Sequence, residues 1–341
     1  MVARVAVLRE RRGWSQTELA RRAKVTRQLV GTVESGAHAP RVDAALRLAS
    51  ALGVTVEELF AAADEAHTDL YRLDDSPLST VVGADVGERT VVVGAGRDQP
   101  WLDLVDAVVG EGGVSWLPGS ERSGVVIAGC DPALGMIAAL LLRRSGHRAV
   151  VVHATSATAG QWLREGVVHV AVIHGPAGFI PAVESSSQCY LLARWQVGLA
   201  SSPTSSVPSI AELCDRDMPV VHRDSGAATE KSYERAVRAV GAEGPPVGPV
   251  ASGHLDAVAR VRHGAPAAVT TEPAALSEGL AFAGFDEHDV YLCVAAQFAD
   301  HPAVIALIDL LGDRALTSRL GVIRGYDISQ IGHQPTSSSG P

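Results

Sequence analysis

The stretch Ser15 to Glu34, SQTELARRAKVTRQLVGTVE, leaves the surrounding chain few ways to fold. It reads as two short helices about a tight turn. Ser15 is a good N-cap and Glu18, three residues on, completes a capping box, so the first helix runs from Gln16 to Ala23. Lys24 and Val25 make the turn, and Thr26 caps a second helix ending near Glu34. Leu19, Ala20, Ala23, Val25, Val30 and Val33 are small or apolar and can share one core. Gln16, Arg22, Thr26, Arg27, Gln28 and Thr32 are left on a polar outer face. Such a pair can lay its second helix in a DNA major groove with its N-terminal residues on base edges. Gln28 and Arg27 are then placed to read bases and Gln16 to meet a phosphate, with Thr26 and Thr32 on the same surface.

Around this pair stand Leu8-Arg9, Gly13-Trp14-Ser15-Gln16, Leu19-Ala20, Ala23, Val25-Thr26, Glu34-Ser35-Gly36, Pro40, and Leu46 through Leu59-Phe60. In this pattern the segment Leu8 to Phe60 resembles the DNA-binding domain of Cro/repressor-type (XRE) regulators. The resemblance implies an all-α helix-turn-helix head in which Arg9 pairs with Glu34 and clamps the first helix to the end of the recognition helix. It also implies a homodimer on an inverted-repeat, double-stranded DNA operator. Helix one is expected over Val2 to Arg12, helix four over Asp43 to Leu52 with Gly53 as its stop, and helix five from Val56 behind a Thr55/Glu58 capping box. Two residues depart from the usual pattern. Lys24 stands where the family usually has a turn glycine, and a side chain there carries the cost of a left-handed backbone. Gly31 lies inside an exposed helix, where glycine costs about 1 kcal/mol against alanine. It either brings the helix close to a sugar-phosphate backbone or marks a tolerant position.

Charge separates this head from the rest. Residues 1–60 hold ten Arg and Lys against six Asp and Glu, a net of +4. The remaining residues hold 19 against 32, a net of −13. A basic head on an acidic body points to nucleic acid at the head alone. With 341 residues, 47% of them hydrophobic and 20% charged, the chain has room for two or three well-cored domains. Its longest apolar run, Val125 to Leu142, is broken at Asp131-Pro132, so it reads as a strand and a helix rather than a membrane span. No signal peptide is visible at Met1. Cys130, Cys189, Cys214 and Cys293 are widely scattered and form no CxxC, which predicts reduced thiols in a cytoplasmic protein rather than a disulfide framework or a zinc site.

Beyond the head, Ala61 to Pro77 is a polar connector, and Leu78 to Val93 reads as two strands about a turn at Gly87-Glu88. Val92-Val93-Gly94-Ala95-Gly96 lacks the third glycine of a dinucleotide fingerprint and is taken as a structural turn. Trp101 to Val109 is expected to be a short helix. From Ser123 the pattern alternates. Strands are expected at Val125–Gly129, Ala149–His153, Val168–His174, Tyr190–Gly198, Pro219–His222, Ala267–Thr271 and Tyr291–Ala295. Helices are expected at Pro132–Arg144, Ala159–Glu165, Val207–Leu213, Ala227–Val240 and Leu255–His263, with a helical turn at Pro273–Glu278 and a closing helical region at Ala303–Leu320. This alternation predicts a parallel sheet.

Five stretches carry a second resemblance: Ala128-Gly129-Cys130-Asp131-Pro132-Ala133-Leu134, Gly166 to His174, Arg194 to Leu199, His222 to Thr229, and Gly325-Tyr326-Asp327. With them, Val125 to Gly332 resembles the periplasmic-binding-protein-like effector domain of the molybdate-binding type. This implies an α/β two-lobed (type II) C-terminal domain around a cleft. Lobe one would hold Ser120–Gln188 and His288–Gly332, lobe two Arg194–Glu287, with crossovers near Cys189–Leu192 and Val290–Val294. The expected division is a head over residues 1–63, a linker with a small β element over 64–119, the effector domain over 120–332 and a disordered tail over 333–341.

Two strand-to-helix junctions can face one another across that cleft. Cys130-Asp131-Pro132 opens one helix with proline at its first position, and Arg223-Asp224-Ser225-Gly226 with Thr229 opens another. Free amides at a positive helix end favour an anion, and arginine adds a planar fork. His174, His254 and Ser156 are further cleft candidates. No metal-ligand spacing joins the twelve histidines, and no cofactor motif is visible. Asp224-Ser225-Gly226 has no histidine and aspartate partners for hydrolysis. The expectation is a one-component transcriptional regulator, not an enzyme, sensing a small anion. Molybdate or tungstate is the choice by resemblance, an organic carboxylate or other metabolite the alternative. An enzyme on the same two-lobe fold and a ligand-free structural repressor are the competing classes.

Overall fold

The computed structural model describes residues 5–35, 40–56, 59, 69–74, 79–95, 105–110, 113–184 and 186–335. Contacts divide the chain into two compact units, residues 1–70 with 116–119 and residues 71–115 with 120–341.

The first unit holds α1 (Val5–Arg11), α2 (Gln16–Ala23), α3 (Arg27–Glu34) and α4 (Val42–Leu52). The caps expected from sequence form: Ser15 Oγ accepts the Glu18 N–H and Thr26 Oγ1 the Leu29 N–H, each at 3.1 Å. The Glu18 carboxylate turns to Arg21 and Arg22, each at 2.7 Å. Lys24 adopts φ 53° and ψ 44°, the left-handed turn for which glycine is usual. Leu19, Val30, Val33, Leu48 and Leu52 form the core with Leu59. Arg9 meets Glu34 as a two-pronged pair, Nε to Oε1 at 2.7 Å and Nη2 to Oε2 at 3.2 Å, and both side chains are largely buried. The expected start of helix one at Val2, the loop before Pro40 and most of helix five lie outside the described residues.

A five-stranded sheet follows in the chain, with β1 (Asp69–Arg72), β2 (Thr80–Val86), β3 (Arg89–Gly94), β4 (Ala107–Gly110) and β5 (Gly113–Trp116) in the order β1-β3-β2-β4-β5. β2 and β3 pair about Gly87 at φ 61°, as the turn signal predicts. The helix expected over Trp101–Val109 is not present in its described part. There Ala107 and Val108 pair antiparallel with Val81 and Thr80. β-Branched Val108-Val109 suits a strand, and the buried Asp106 carboxylate accepts the Gly83 N–H at 2.9 Å, which holds the segment against β2. Residues 101–104 lie outside the described residues. Ala84, Val86 and Val91 of this sheet share a core with Val126, Ala128 and Val150 of the next.

That larger sheet contains β6 (Val125–Gly129), β7 (Ala149–His153), β8 (Val170–Pro176), β9 (Gln188–Ser201), β10 (Val220–Arg223), β11 (Val250–Ala251), β12 (Ala267–Thr271) and β13 (Ala281–Val294). Its order is β11-β10-β12-β9-β13-β8-β6-β7. The helices are α5 (Leu134–Ser145), α6 (Ser156–Arg164), α7 (Ile210–Asp215), α8 (Ala228–Ala239), α9 (His254–Arg262), α10 (Glu272–Ser277), α11 (Pro302–Leu311) and α12 (Arg314–Leu320). β6 is parallel to β7 and β8, and β10 to β11 and β12, as the alternation predicts. The sheet is nonetheless mixed, because β9 and β13 run antiparallel to each other and to their outer neighbours. Both strands are 14 residues long, far beyond the segments expected at Tyr190–Gly198 and Tyr291–Ala295. The first half of β13, AFAGFDEHD, has a glycine and three acids and little strand propensity. Pairing with β9 from Ala281 opposite Ser201 through to Val294 opposite Gln188 makes it a strand.

These long strands join the two lobes. One lobe packs Ile127, Leu141, Val172 and Leu307 between β6–β8 and α5 with α11. In the other, Ala257, Val258 and Ala268 pack on one face and Leu213, Tyr233 and Val237 on the other. The register also sets Cys189 opposite Cys293, Cα atoms 4.1 Å apart, and a disulfide joins them. The expectation of four reduced thiols is corrected at this pair. Its separation of 104 residues carries no spacing signal, and only the register of β9 against β13 brings it together. Among the described residues no helix is long and apolar enough to cross a membrane.

Candidate functional site

In the head, the first turn of α3 leaves Thr26, Arg27 and Gln28 exposed while Val30 and Val33 are buried behind them. The other two residues of the expected surface are tied within the head. The Thr32 hydroxyl donates back to the Gln28 and Leu29 carbonyls at 3.1 and 3.0 Å. Gln16 Nε2 donates to Glu34 Oε2 at 2.8 Å, joining the Arg9–Glu34 pair. A Cβ at Gly31 would meet only Gln16 Oε1 at 3.9 Å, so nothing inside the head requires glycine there.

In the second unit groups from the two expected junctions, Cys130 and Arg223, come close enough to interact. α5 begins at Leu134, so Pro132 lies in the preceding turn and not at the first helical position. Asp131 is buried and accepts the Ala133 N–H at 2.8 Å, the Tyr326 hydroxyl at 2.7 Å and the Trp195 indole N–H at 3.2 Å. Burial pushes its carboxyl up against the pull of those three donors. At the other junction Asp224 Oδ1 accepts the Gly226 N–H at 2.8 Å, and buried Glu230 takes the Arg223 N–H at 2.7 Å. Asp131 and Asp224 thus each hold an amide of the turn that precedes the helix, and among the described residues no side-chain cap is made to the first turn of α5 or α8. Ser225 is exposed, and Ser156 Oγ accepts the His174 N–H at 3.0 Å, a structural role at the end of β8.

What remains between the lobes is a buried polar cluster. Cys130 and His174 come from lobe one and Arg223 and His254 from lobe two, and all four are nearly or fully buried, as is Thr229 in the first turn of α8. Arg223 is 2% exposed, its Nη1 reaches the Ala251 carbonyl at 3.4 Å, and its Nε has no partner among the described residues. Thr229 Oγ1 and His254 Nε2 are likewise buried without a partner. Cys130 Sγ lies 3.3 Å from His174 Nε2, and His174 Nδ1 lies 2.9 Å from His288 Nδ1. Desolvation pushes the Cys130 thiol up to about 12, despite the attraction of the Arg223 charge. It also holds His174 and His254 well below the usual imidazole range, with the Arg223 charge adding to the effect.

The sequence reading missed His288, Ser232 and Trp195 as site residues. His288 Nε2 lies 2.8 Å from Ser232 Oγ, and Trp195 stacks on the His288 ring at 5.7 Å between centroids and 19° between planes. His288 lies in the half of β13 that has no strand signal, so no face could be assigned to it. The Arg194-Trp195-Gln196 stretch was available, but its alternation does not say which lobe face the indole takes.

A bilobed α/β domain crossed by two long antiparallel strands, with buried polar groups where the lobes meet, is a ligand-binding architecture. The chain belongs to the periplasmic-binding-protein family described as the PBP superfamily domain, whose model matches residues 138–312. A helix-turn-helix domain model matches residues 1–62. No curated protein matches the chain. Among solved structures, an ABC-type phosphate transport receptor from Vibrio cholerae is 12% identical, with a TM-score of 0.43 over 60% of this chain and 99% of that one. The cofactor-binding domain of the Cbl transcriptional regulator is 14% identical, with a TM-score of 0.44 over 61% of this chain and 99% of that one. The effector-binding domain of QuiR in complex with shikimate is 9% identical, with a TM-score of 0.44 over 55% of this chain and 93% of that one.

Proposed function

We propose that this chain is a cytoplasmic, dimeric transcriptional regulator whose second unit senses a small anion, with Arg223 as the anchor. The observation that carries the reading is a buried guanidinium whose Nε has no partner among the described residues, in a chain that also bears a helix-turn-helix head. A buried charge without a paired counter-charge is costly, and a bound anion would offset that cost. Thr229 Oγ1, also without a partner, adds a donor on the same lobe. Ligand that binds the closed lobes better than the open ones shifts the population toward closure, and a change in the pairing of two heads transmits it to the operator.

Binding rather than catalysis fits the thiol: Cys130 is protonated and buried at neutral pH, and a thiol is a weak nucleophile in that form. The test is a melting and calorimetry panel of molybdate, tungstate, phosphate and small carboxylates on the full chain. At 100 times its dissociation constant the right anion stabilises by about 2.7 kcal/mol. Arg223→Ala is expected to abolish the effect. Calorimetric binding unchanged in Arg223→Ala places the site elsewhere, and binding of neutral ligands alone rejects the anion class.

A further inference from the structure

We infer that Cys130, His174 and His254 form a binding site for one soft or borderline divalent transition-metal ion, such as Zn2+ or Co2+, where the two lobes meet. The inference rests on the reading of this cleft as the ligand site. The three side chains are fully or nearly buried, and one donor atom from each lies within 4.8 Å of the other two. Tetrahedral zinc with sulfur at about 2.3 Å and nitrogen at about 2.0–2.1 Å sets its ligand atoms about 3.3–3.6 Å apart. Cys130 Sγ and His174 Nε2 already stand at 3.3 Å. His254 Nε2 is buried with no partner among the described residues, which leaves it a lone pair or N–H to offer. One thiolate and two imidazoles select zinc, cobalt or copper over magnesium or calcium.

The hydrogen bonds behind His174 orient it as a ligand. Ser232 Oγ receives the Arg235 guanidinium at 2.9 Å and faces His288 Nε2 at 2.8 Å, with Asp286 Oδ2 at 3.4 Å from the same nitrogen. That surrounding places the His288 proton on Nε2 and makes its Nδ1 an acceptor. His174 Nδ1 then carries a proton toward it over 2.9 Å, which leaves the His174 Nε2 lone pair facing Cys130. A carboxylate or hydroxyl behind a ligating histidine is the usual means of fixing tautomer and ring. Three protein ligands leave a fourth position open, and the nearby Arg223 charge favours an anion there. The lobes supply different ligands, so the ion would also latch them together. On binding, the Cys130 S–H bond breaks, sulfur keeps the electron pair for the metal, and the proton passes to solvent.

The test titrates Co2+ alone, then Zn2+ as competitor, into the chelator-treated full-length protein. The expected result is one ion per chain, a thiolate-to-cobalt charge-transfer band and proton release. Cys130→Ser abolishes the band, His254→Gln abolishes stoichiometric binding, and Cys214→Ser changes neither. His288→Ala, which acts through His174, weakens binding about 10- to 100-fold. Absence of stoichiometric binding, or a band unchanged in Cys130→Ser, overturns the site. If Cys130→Ser does not fold, the wild-type band and its fate in His254→Gln decide instead. The anion panel is run on metal-free and metal-loaded protein, so a metal-positive, anion-negative outcome rejects the anion reading and leaves this one standing.

Discussion

Lys24 holds a left-handed backbone at φ 53°, a conformation that costs a non-glycine residue about 1–2 kcal/mol. Lys24→Gly relieves that strain but adds chain entropy to the unfolded state, so a gain of up to about 1 kcal/mol in head stability is expected by urea titration. The Arg9–Glu34 pair is the opposite case. Glu34→Ala strands a largely buried guanidinium and frees Gln16, and a loss of about 3 kcal/mol is expected. A loss below about 1 kcal/mol places the pair among ordinary surface bridges. Gln28→Ala, at the exposed start of α3, is expected to lower preference for the right operator by about 1–3 kcal/mol while leaving random DNA binding nearly unchanged. The left-handed backbone at Lys24 was expected from the resemblance, which puts a turn glycine at that position. The Gln16–Glu34 bond was not, because 18 residues separate the partners.

At the scale of elements, short-range signals were legible and long-range pairing was not. Ser15 and Thr26 announced their helices, and the apolar runs at Val125–Gly129 and Ala149–His153 announced their strands. β4, the outer half of β13 and the Cys189–Cys293 bridge depend on partners far away in the chain, and local propensity argues against the second. The histidines on these elements set the pH response. Burial holds His169 at about 3 and His288 at about 4, and keeps His174 and His254 well below the ordinary value. In the unfolded chain they titrate near 6.5, so below about pH 6.5 the unfolded state takes up protons that the folded state refuses. Stability of the second unit is therefore lost as pH falls from about 6.5 toward 4. His222 works in the other direction. Its Nδ1 faces Glu230 and its Nε2 the Pro246 carbonyl, both at 2.7 Å, so both nitrogens donate and the Glu230 bond raises its pKa. Its contribution is present below about pH 6.5 and lost as pH rises through the raised value. The four buried histidines outweigh it, so the melting temperature falls between pH 6.5 and 5, and His222→Gln steepens that fall. A melting temperature flat across this range contradicts the burial of those rings.

At the scale of the whole molecule, the basic head and the acidic bilobed unit divide the work between operator and ligand. The two classes of domain were legible from spaced motifs. The composition of the cleft was only half legible: groups of Cys130, His174, Arg223 and His254 come together, while Ser225 points to solvent and Asp131 is held by Ala133, Trp195 and Tyr326. A linear pattern marks strand-to-helix junctions but not which of their groups are already satisfied. The central claim is that occupancy of this cleft controls DNA binding. The most direct measurement is fluorescence anisotropy of the full-length protein on an operator obtained by in vitro selection, titrated with the anion that raises its melting temperature. The account predicts a change in operator Kd of at least about 5-fold at saturating anion, in either direction, and no change in Arg223→Ala. An operator Kd that is the same with and without the bound anion, in a protein that binds both, contradicts it.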